Sequence, residues 1–373
     1  MEKIRGVNLG NWLVLEKWMS PELFSGTTAA DETYLCLQLS ENEKRTRMKT
    51  HRDHYITSRD FAYLREKGIN AIRLPVPFFV FEDVGPYVSC TEYVDKCMKW
   101  ANQAGIQVLL DLHTVPGSQN GSDNSGLCGI TQWCNHPKRV EMTFDVLERL
   151  ALRYGQDPAL MGIEVLNEPT PSDGAMALQL GGGSIADRYP PVDKEAAKQN
   201  ASYDWKWLEN FYTEGYRRIR KYLPKEKAVV FDDAFDVHHA ADWLAKQPFD
   251  NVILDTHQYI MVADWILGTE GKDLAAYQQY VKDVFAKEAA YGQSKVPTIV
   301  GEWSLYTESE IVKTEDQAVR KAFYRGLAEA SIEAFSSCEG WFYWSYKTHL
   351  DDPVWDCWDL GKCMSNGWMP EKL

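Results

Sequence analysis

Ile163-Glu164-Val165-Leu166-Asn167-Glu168-Pro169 is the stretch on which the fold turns. An apolar, strand-forming run gives way within two positions to an amide, an acid and a proline, so a buried strand ends abruptly and leaves Asn167 and Glu168 at its C-terminal edge. Thr298-Ile299-Val300-Gly301-Glu302-Trp303 repeats the change of character. On either side of it, short β-rich segments alternate with longer amphipathic ones, the pattern of a parallel sheet with helical crossovers. Strands are expected over 5–9, 71–75, 107–112, 162–166, 228–232, 252–255, 298–301 and 340–344. Helices are expected over 90–104, 140–154, 205–222, 273–291 and 316–335, where apolar residues recur at helical spacing. This alternation predicts an α/β fold, a (β/α)8 TIM barrel formed by residues 1–373 as a single domain. A doubly wound open sheet is the alternative, but it would place a Gly-rich phosphate loop after its first strand. Gly6-Val7-Asn8-Leu9-Gly10-Asn11 opens no helix of that kind.

Two connections exceed ordinary loops, 114–137 and 170–202, coming after the third and fourth strands. The first is rich in Gly, Ser and Asn, and the second holds Gly181-Gly182-Gly183 and Pro190-Pro191. Loops that follow barrel strands build the active-site face, so these two are expected to wall the site.

Composition narrows the function. With 45% hydrophobic and 25% charged residues over 373 positions, the chain builds a sizeable core and is neither disordered nor collagenous. A net charge of −14 would repel a phosphate backbone, so no nucleic-acid partner is expected. Nor is a membrane partner, since no apolar run spans a bilayer. The opening Met1-Glu2-Lys3-Ile4-Arg5-Gly6 carries no signal-peptide pattern, which predicts a cytoplasmic protein, or a secreted one if a leader preceded it. The 14 Trp, 19 Tyr and 14 Phe exceed ordinary core filling and suggest flat surfaces for a ring-shaped ligand. The eight cysteines show neither CxxC pairs nor zinc spacing and are expected mostly as thiols, although Cys128/Cys134 and Cys357/Cys363 are spaced to close small loops.

Glu168 and Glu302, each at a strand end, would face one another across the barrel mouth. In a retaining glycosidase such a pair lies about 5 to 5.5 Å apart, one residue protonating the leaving oxygen while the other attacks the anomeric carbon. Arg73 stands inside an apolar strand, where an arginine is rarely unpaired. His113 and His257 lie at strand ends without a third ligand at metal spacing, so no metal and no cofactor are expected.

The segments 5–16, 70–75, Asp111-Leu112-His113-Thr114-Val115-Pro116-Gly117-Ser118-Gln119-Asn120-Gly121, Asn167-Glu168-Pro169, Asp255-Thr256-His257-Gln258-Tyr259, Gly301-Glu302-Trp303 and Trp341-Phe342-Tyr343-Trp344, in this order, resemble those of glycoside hydrolase family 5. Within it, the exo-β-1,3-glucanases are most similar. The resemblance implies Glu168 as acid/base and Glu302 as nucleophile, with Asn167 on the substrate 2-hydroxyl, Arg73 keeping Glu302 ionised and Tyr259 orienting it. It implies Trp344 as the floor under the first sugar and Asn120 at its edge; Trp303 and Trp12 are read either as further walls or as core. The neighbouring carboxylate would lift Glu168 toward roughly 6 to 7. The expected activity is a retaining exo-β-glycosidase on an oligosaccharide or glycoside, releasing glucose from β-1,3-linked chains. The alternatives are an intracellular β-mannosidase or β-glucosidase acting on imported oligosaccharides, and a non-catalytic sugar-binding barrel, against which the retention of both carboxylates argues.

Overall fold

Alternation along each strand divides the apolar side chains between two places, the shell under the helices and the barrel interior. A computed structural model describes residues 2–179, 184–268, 273–370 and 373; the triglycine at 181–183 lies outside them. Strands β1 (Ile4–Asn8), β2 (Ala71–Val76), β3 (Gln107–Leu112), β4 (Leu160–Glu164), β5 (Ala228–Asp232), β6 (Val252–His257), β7 (Thr298–Trp303) and β8 (Gly340–Tyr343) pair in parallel in chain order, and β8 closes onto β1. The fold is the predicted (β/α)8 barrel.

Outward residues such as Ile72, Leu74, Val108, Leu110, Ile163 and Val300 join the large core beneath the helices. Inward residues low in the barrel, Ala71, Leu109, Ala228, Val230, Ile299 and Phe342, form a separate apolar plug. Gly6 makes room for it, because a Cβ there would lie 2.2 Å from the Phe342 ring. One inward step higher the interior is charged: Arg73, Asp111, Glu164 and Asp255 are all fully buried.

Three helices between β1 and β2, Glu32–Gln38, Glu41–Tyr55 and Ser58–Glu66, are not legible as periodic segments. The longest of them, ENEKRTRMKTHRDHY, has too few apolar residues to display a 3.6-residue repeat. The single helix expected over 273–291 is instead Leu274–Tyr280, a π turn at Val281–Phe285 and Ala286–Lys295.

The two long connections lean on one another. Ala201 N donates to Thr131 O at 2.7 Å, Asn200 Nδ2 to Gly129 O at 2.9 Å and Gln132 Nε2 to Ala196 O at 2.5 Å. The second carries short helical turns, Ala175–Gln179, Ile185–Arg188 and Lys194–Ala197, where only irregular chain is expected. All eight cysteines are free thiols, so neither closely spaced pair is bridged. Among the described residues no helix is long and apolar enough to cross a membrane.

Candidate active site

Strict alternation in β7 would turn Glu302 outward with Thr298 and Val300. The pairing with β6 instead shifts, from Thr256↔Val300 to His257↔Glu302, and a second shift occurs against β8. Such an irregularity gives one strand an extra residue and re-aims the side chains beyond it, so Gly301 and Glu302 both reach the interior. Gly301 is obligatory there: its amide donates to Asp255 Oδ1 at 2.5 Å, and a Cβ would lie 1.9 Å from Asp255 Oδ2. Trp303 consequently points away from the cavity. It packs edge-on against Tyr343, Trp341 and Phe335 with centroids 4.9, 5.4 and 5.5 Å away, so the expected substrate wall is outer core. Trp12 is likewise buried, against Tyr93 and Trp100.

Arg73 commits all five of its N–H donors to neighbours. Nε and Nη2 clamp Glu164 at 2.8 and 2.9 Å, Nη1 reaches Asn8 Oδ1 at 3.1 Å and Glu302 Oε1 at 2.8 Å, and Nη2 reaches Asn167 Oδ1 at 2.8 Å. Asp111 Oδ2 stands 3.2 Å from the same guanidinium. Because Asn167 presents its oxygen to Arg73, its Nδ2 is left without a protein partner. Tyr259 donates its hydroxyl to Glu302 Oε2 at 2.6 Å, so both oxygens of that carboxylate are held. Burial nevertheless pushes the Glu302 carboxyl above its ordinary value, the charges of His257 and Arg73 offsetting only part of the rise. Arg73 therefore fixes the position of Glu302 more than it secures its charge.

Glu168 comes after β4 with φ of 43°, a left-handed conformation that a side-chain-bearing residue adopts at a cost. Asn120 is the brace, donating Nδ2 to Glu168 O at 2.9 Å, while Gln119 Nε2 ties His113 O and Asn167 O at 2.9 and 3.0 Å. Asn120 thus holds the acid's backbone and does not line the cavity. The Glu168 carboxylate pairs with His257 Nδ1 at 2.7 Å and accepts from Asn124 Nδ2 at 2.6 Å. Burial alone would raise its pKa, but the His257 hydrogen bond and charge, the His113 charge and the Asn124 amide outweigh it. Glu168 is held below the ordinary carboxylate range, contrary to the lift toward 6 to 7. The proton instead belongs to His257. Burial opposes its charge, yet Glu302, Asp255, Glu168 and Asp232 surround the ring and push its pKa well up. Facing oxygens of Glu168 and Glu302 lie within 4.8 Å, with His257 Nδ1 between them.

A cavity of about 370 Å³ opens above these groups. Trp344 lines it and lies parallel to the His113 ring, 5.5 Å between centroids at 7°. His113 Nδ1 pairs with Asp111 Oδ2 at 2.6 Å, leaving Nε2 without a protein partner. Glu16, Asp123, Trp18, Trp355 and Trp358 also line the cavity, none of them singled out by the sequence. Glu16 is pushed well above the carboxylate range, first by burial and then by the Asp123 charge. Their signal is present as acids and indoles in loops after strand ends, but nothing local shows that loops after β1, β3 and β8 converge. Asp232 and Asp233 brace the turn after β5, accepting from Ala234 N and Phe235 N at 2.7 and 2.8 Å, while Asp236 caps the next helix.

Residues 37–349 match the family described as Cellulase (glycosyl hydrolase family 5). The chain is 30% identical over 96% of its length to the protein named probable glucan 1,3-beta-glucosidase A of Aspergillus niger, of which it covers 85%. It is 31% identical to the protein of the same name from Emericella nidulans, covering all of this chain and 91% of that one. It is 28% identical to glucan 1,3-beta-glucosidase 2 of Candida albicans, covering 99% and 84%. Among solved structures, rutinosidase from Aspergillus niger superposes with a TM-score of 0.77 at 21% identity, over 98% of this chain and 97% of that one, a likeness of fold. With the match spanning β2 to β8 and both rim glutamates inside it, the chain belongs to glycosyl hydrolase family 5.

Proposed function

We propose that the protein is a retaining, exo-acting β-glucosidase that removes terminal glucose from β-1,3-linked glucan chains. The observation that carries the reading is the pair of carboxylates with facing oxygens within 4.8 Å, each in its own surroundings. An inverting site would hold the pair roughly 6.5 to 9.5 Å apart, with room for a water between them. The linkage and sugar rest on the relatives named glucan 1,3-beta-glucosidases.

In this reading Glu302, held by Arg73 and Tyr259, attacks the anomeric carbon from one face. Glu168 protonates the departing oxygen on the other, forming a glycosyl-enzyme. A water then gives its proton to Glu168 and attacks the same carbon, so configuration is retained. Glu168 receives its first proton from His257 Nδ1, 2.7 Å away, as the sugar displaces water and makes a buried carboxylate costlier. Asn167 Nδ2 and His113 Nε2, both buried without protein partners, supply donors for the sugar's hydroxyls. Exo-action is supported by Glu16 and Asp123 walling one side of the cavity, where an internal chain would need an open path.

The test is the early product distribution from laminarin-type oligosaccharides together with a panel of nitrophenyl glycosides. Glucose alone, first released as the β-anomer, supports the reading. A ladder of intermediate chains would mean an open cleft, and cleavage of β-mannosides but not β-glucosides would move the sugar assignment.

A further inference from the structure

We propose that Asp232 is a positioning residue for the acid/base: it closes a buried chain, Asp232–His257–Glu168, that stores the proton Glu168 delivers. The inference rests on the glucosidase reading above, in which Glu168 takes that proton from His257 Nδ1.

The chain follows from strand register. Asp232 on β5 pairs with Asp255 on β6, and His257 stands one inward step beyond Asp255. The imidazole therefore has acids at both ends. Nδ1 meets Glu168 Oε1 at 2.7 Å, while Nε2 faces Asp232 Oδ2 at 3.6 Å and Asp255 Oδ2 at 3.8 Å. Nε2 and both of those oxygens are buried without a hydrogen-bond partner, a state in which buried polar groups are rarely left. A water seated against all three, or a slight tilt of the ring, completes the contact.

The two acids on the Nε2 side are not equivalent. Asp255 is committed elsewhere, Oδ1 accepting from Gly301 N at 2.5 Å and Oδ2 lying 3.5 Å from Arg73 Nε. Asp232 uses Oδ1 for Ala234 N at 2.7 Å, and among the described residues His257 supplies the sole cationic nitrogen within 4.0 Å of it. The side chains of His257 and Asp232 are 1% and 2% exposed, so the proton they hold is out of solvent's reach. The other acids facing the ring are Glu302, 3.6 Å from Nδ1, and Glu164, with an oxygen within 4.8 Å; Arg73 clamps both. Burial pushes the Asp232 carboxyl well above its ordinary range, the His257 charge offsetting part of the rise and Asp233, Glu168 and Asp255 adding to it. With His257 also raised and Glu168 lowered, the proton rests at the end of the chain away from Glu168.

The chain holds two protons, one on Nδ1 and one shared between Nε2 and Asp232 Oδ2. As the Nδ1–H bond breaks and an O–H bond forms on Glu168 Oε1, the shared proton stays on Nε2 and Asp232 is left as the carboxylate. The ring is then neutral. When water later gives its proton to Glu168, that proton returns to Nδ1 and the chain is restored.

The experiment measures kcat/KM against pH for methyl β-glucoside and dinitrophenyl β-glucoside, on the intact protein and on Asp232→Asn. The variant can still accept from Ala234 N but can neither hold nor share a proton. Its rate on the methyl glucoside at pH 7 should fall by about tenfold or more. Removing a negative charge makes the chain release its proton at lower pH, so the basic limb of that profile should move down by about one pH unit. Dinitrophenyl glucoside, whose leaving group needs no proton, should lose no more than about threefold. Nitrogen-15 NMR of the intact protein, with the His257 signal identified by its loss in His257→Gln, should show Nδ1 protonated through about pH 7. A bare Nδ1 there would overturn the inference even if Asp232→Asn failed to fold. Equal losses on both substrates, or an unshifted limb, would overturn it and leave the glucosidase reading standing. No turnover of either glucoside by the intact protein would overturn both.

Discussion

Two layers of one barrel interior differ as much as a core and a solution. At the lower level stand Ala71, Leu109 and Ile299; one inward step higher along the same strands stand Arg73, Asp111 and the bulge that carries Glu302. The separation is only about 7 Å along a strand. The lower layer gains by excluding water. The upper layer gives up that gain, since burying charge is costly unless each group is paired, and Arg73 is the pivot through which the pairing runs. Stability and chemistry are thus divided between successive rungs, and changes to either rung should be separable.

The largest effect is expected from the upper layer. Glu302→Gly should lower turnover by about 10⁴- to 10⁶-fold. Azide should restore cleavage of a dinitrophenyl β-glucoside and give the α-glucosyl azide. A β-azide product would assign the nucleophile's role elsewhere.

Glu168→Gln comes next. Hydrolysis of alkyl β-glucosides should fall by about 10²- to 10⁴-fold, while dinitrophenyl glucoside, whose leaving group needs no proton, should keep most of its glycosylation rate. Equal losses on both substrates would reject the assignment.

In the lower layer, Phe342→Ala should cost about 3–5 kcal/mol of stability, read as a lower urea midpoint, because the plug above Gly6 cannot fully collapse. Turnover per folded molecule should remain. A loss of turnover at unchanged stability would break the division between the layers.

The smallest effect concerns Asp233, buried beneath the turn that carries Phe235. Burial pushes its carboxyl from 3.8 to about 7. Because the folded value lies above the unfolded one, the unfolded chain releases this proton first. Its contribution to stability is therefore fullest below pH 4, falls as pH rises and is lost by pH 7. Asp233→Asn should make the melting temperature less sensitive to pH across that window and raise it at pH 7 relative to the parent. Parallel curves for parent and variant would show that Asp233 is not the group responsible.

The barrel is legible because every strand is an apolar run long enough to bury and short enough to cross a sheet, and each is succeeded by a break. Glu168 is legible as an acid just past such a run. Glu302 is legible in identity but not in direction, because period-two alternation turns it outward and only the bulge between β6 and β7 brings it in. Trp303 misleads for the same reason: the bulge that admits Glu302 sends the next residue into the outer core. The proton's place is equally hidden from the sequence. A neighbouring carboxylate argues for a raised Glu168, but His257 stands closer, and a cation in contact outweighs a second acid farther off.

Local chemistry encodes the strand and helix periods, the order of eight strands and the acids at the rim. The tertiary structure alone decided which groups meet. Glu16, Asp123 and Trp358 come from loops after three different strands and line one cavity. The reason is physical. Periodicity and turn chemistry are set within a few residues, whereas the closing of the ring, the slip in β7 and the resulting fields on His257 and Glu168 depend on which strands lie side by side.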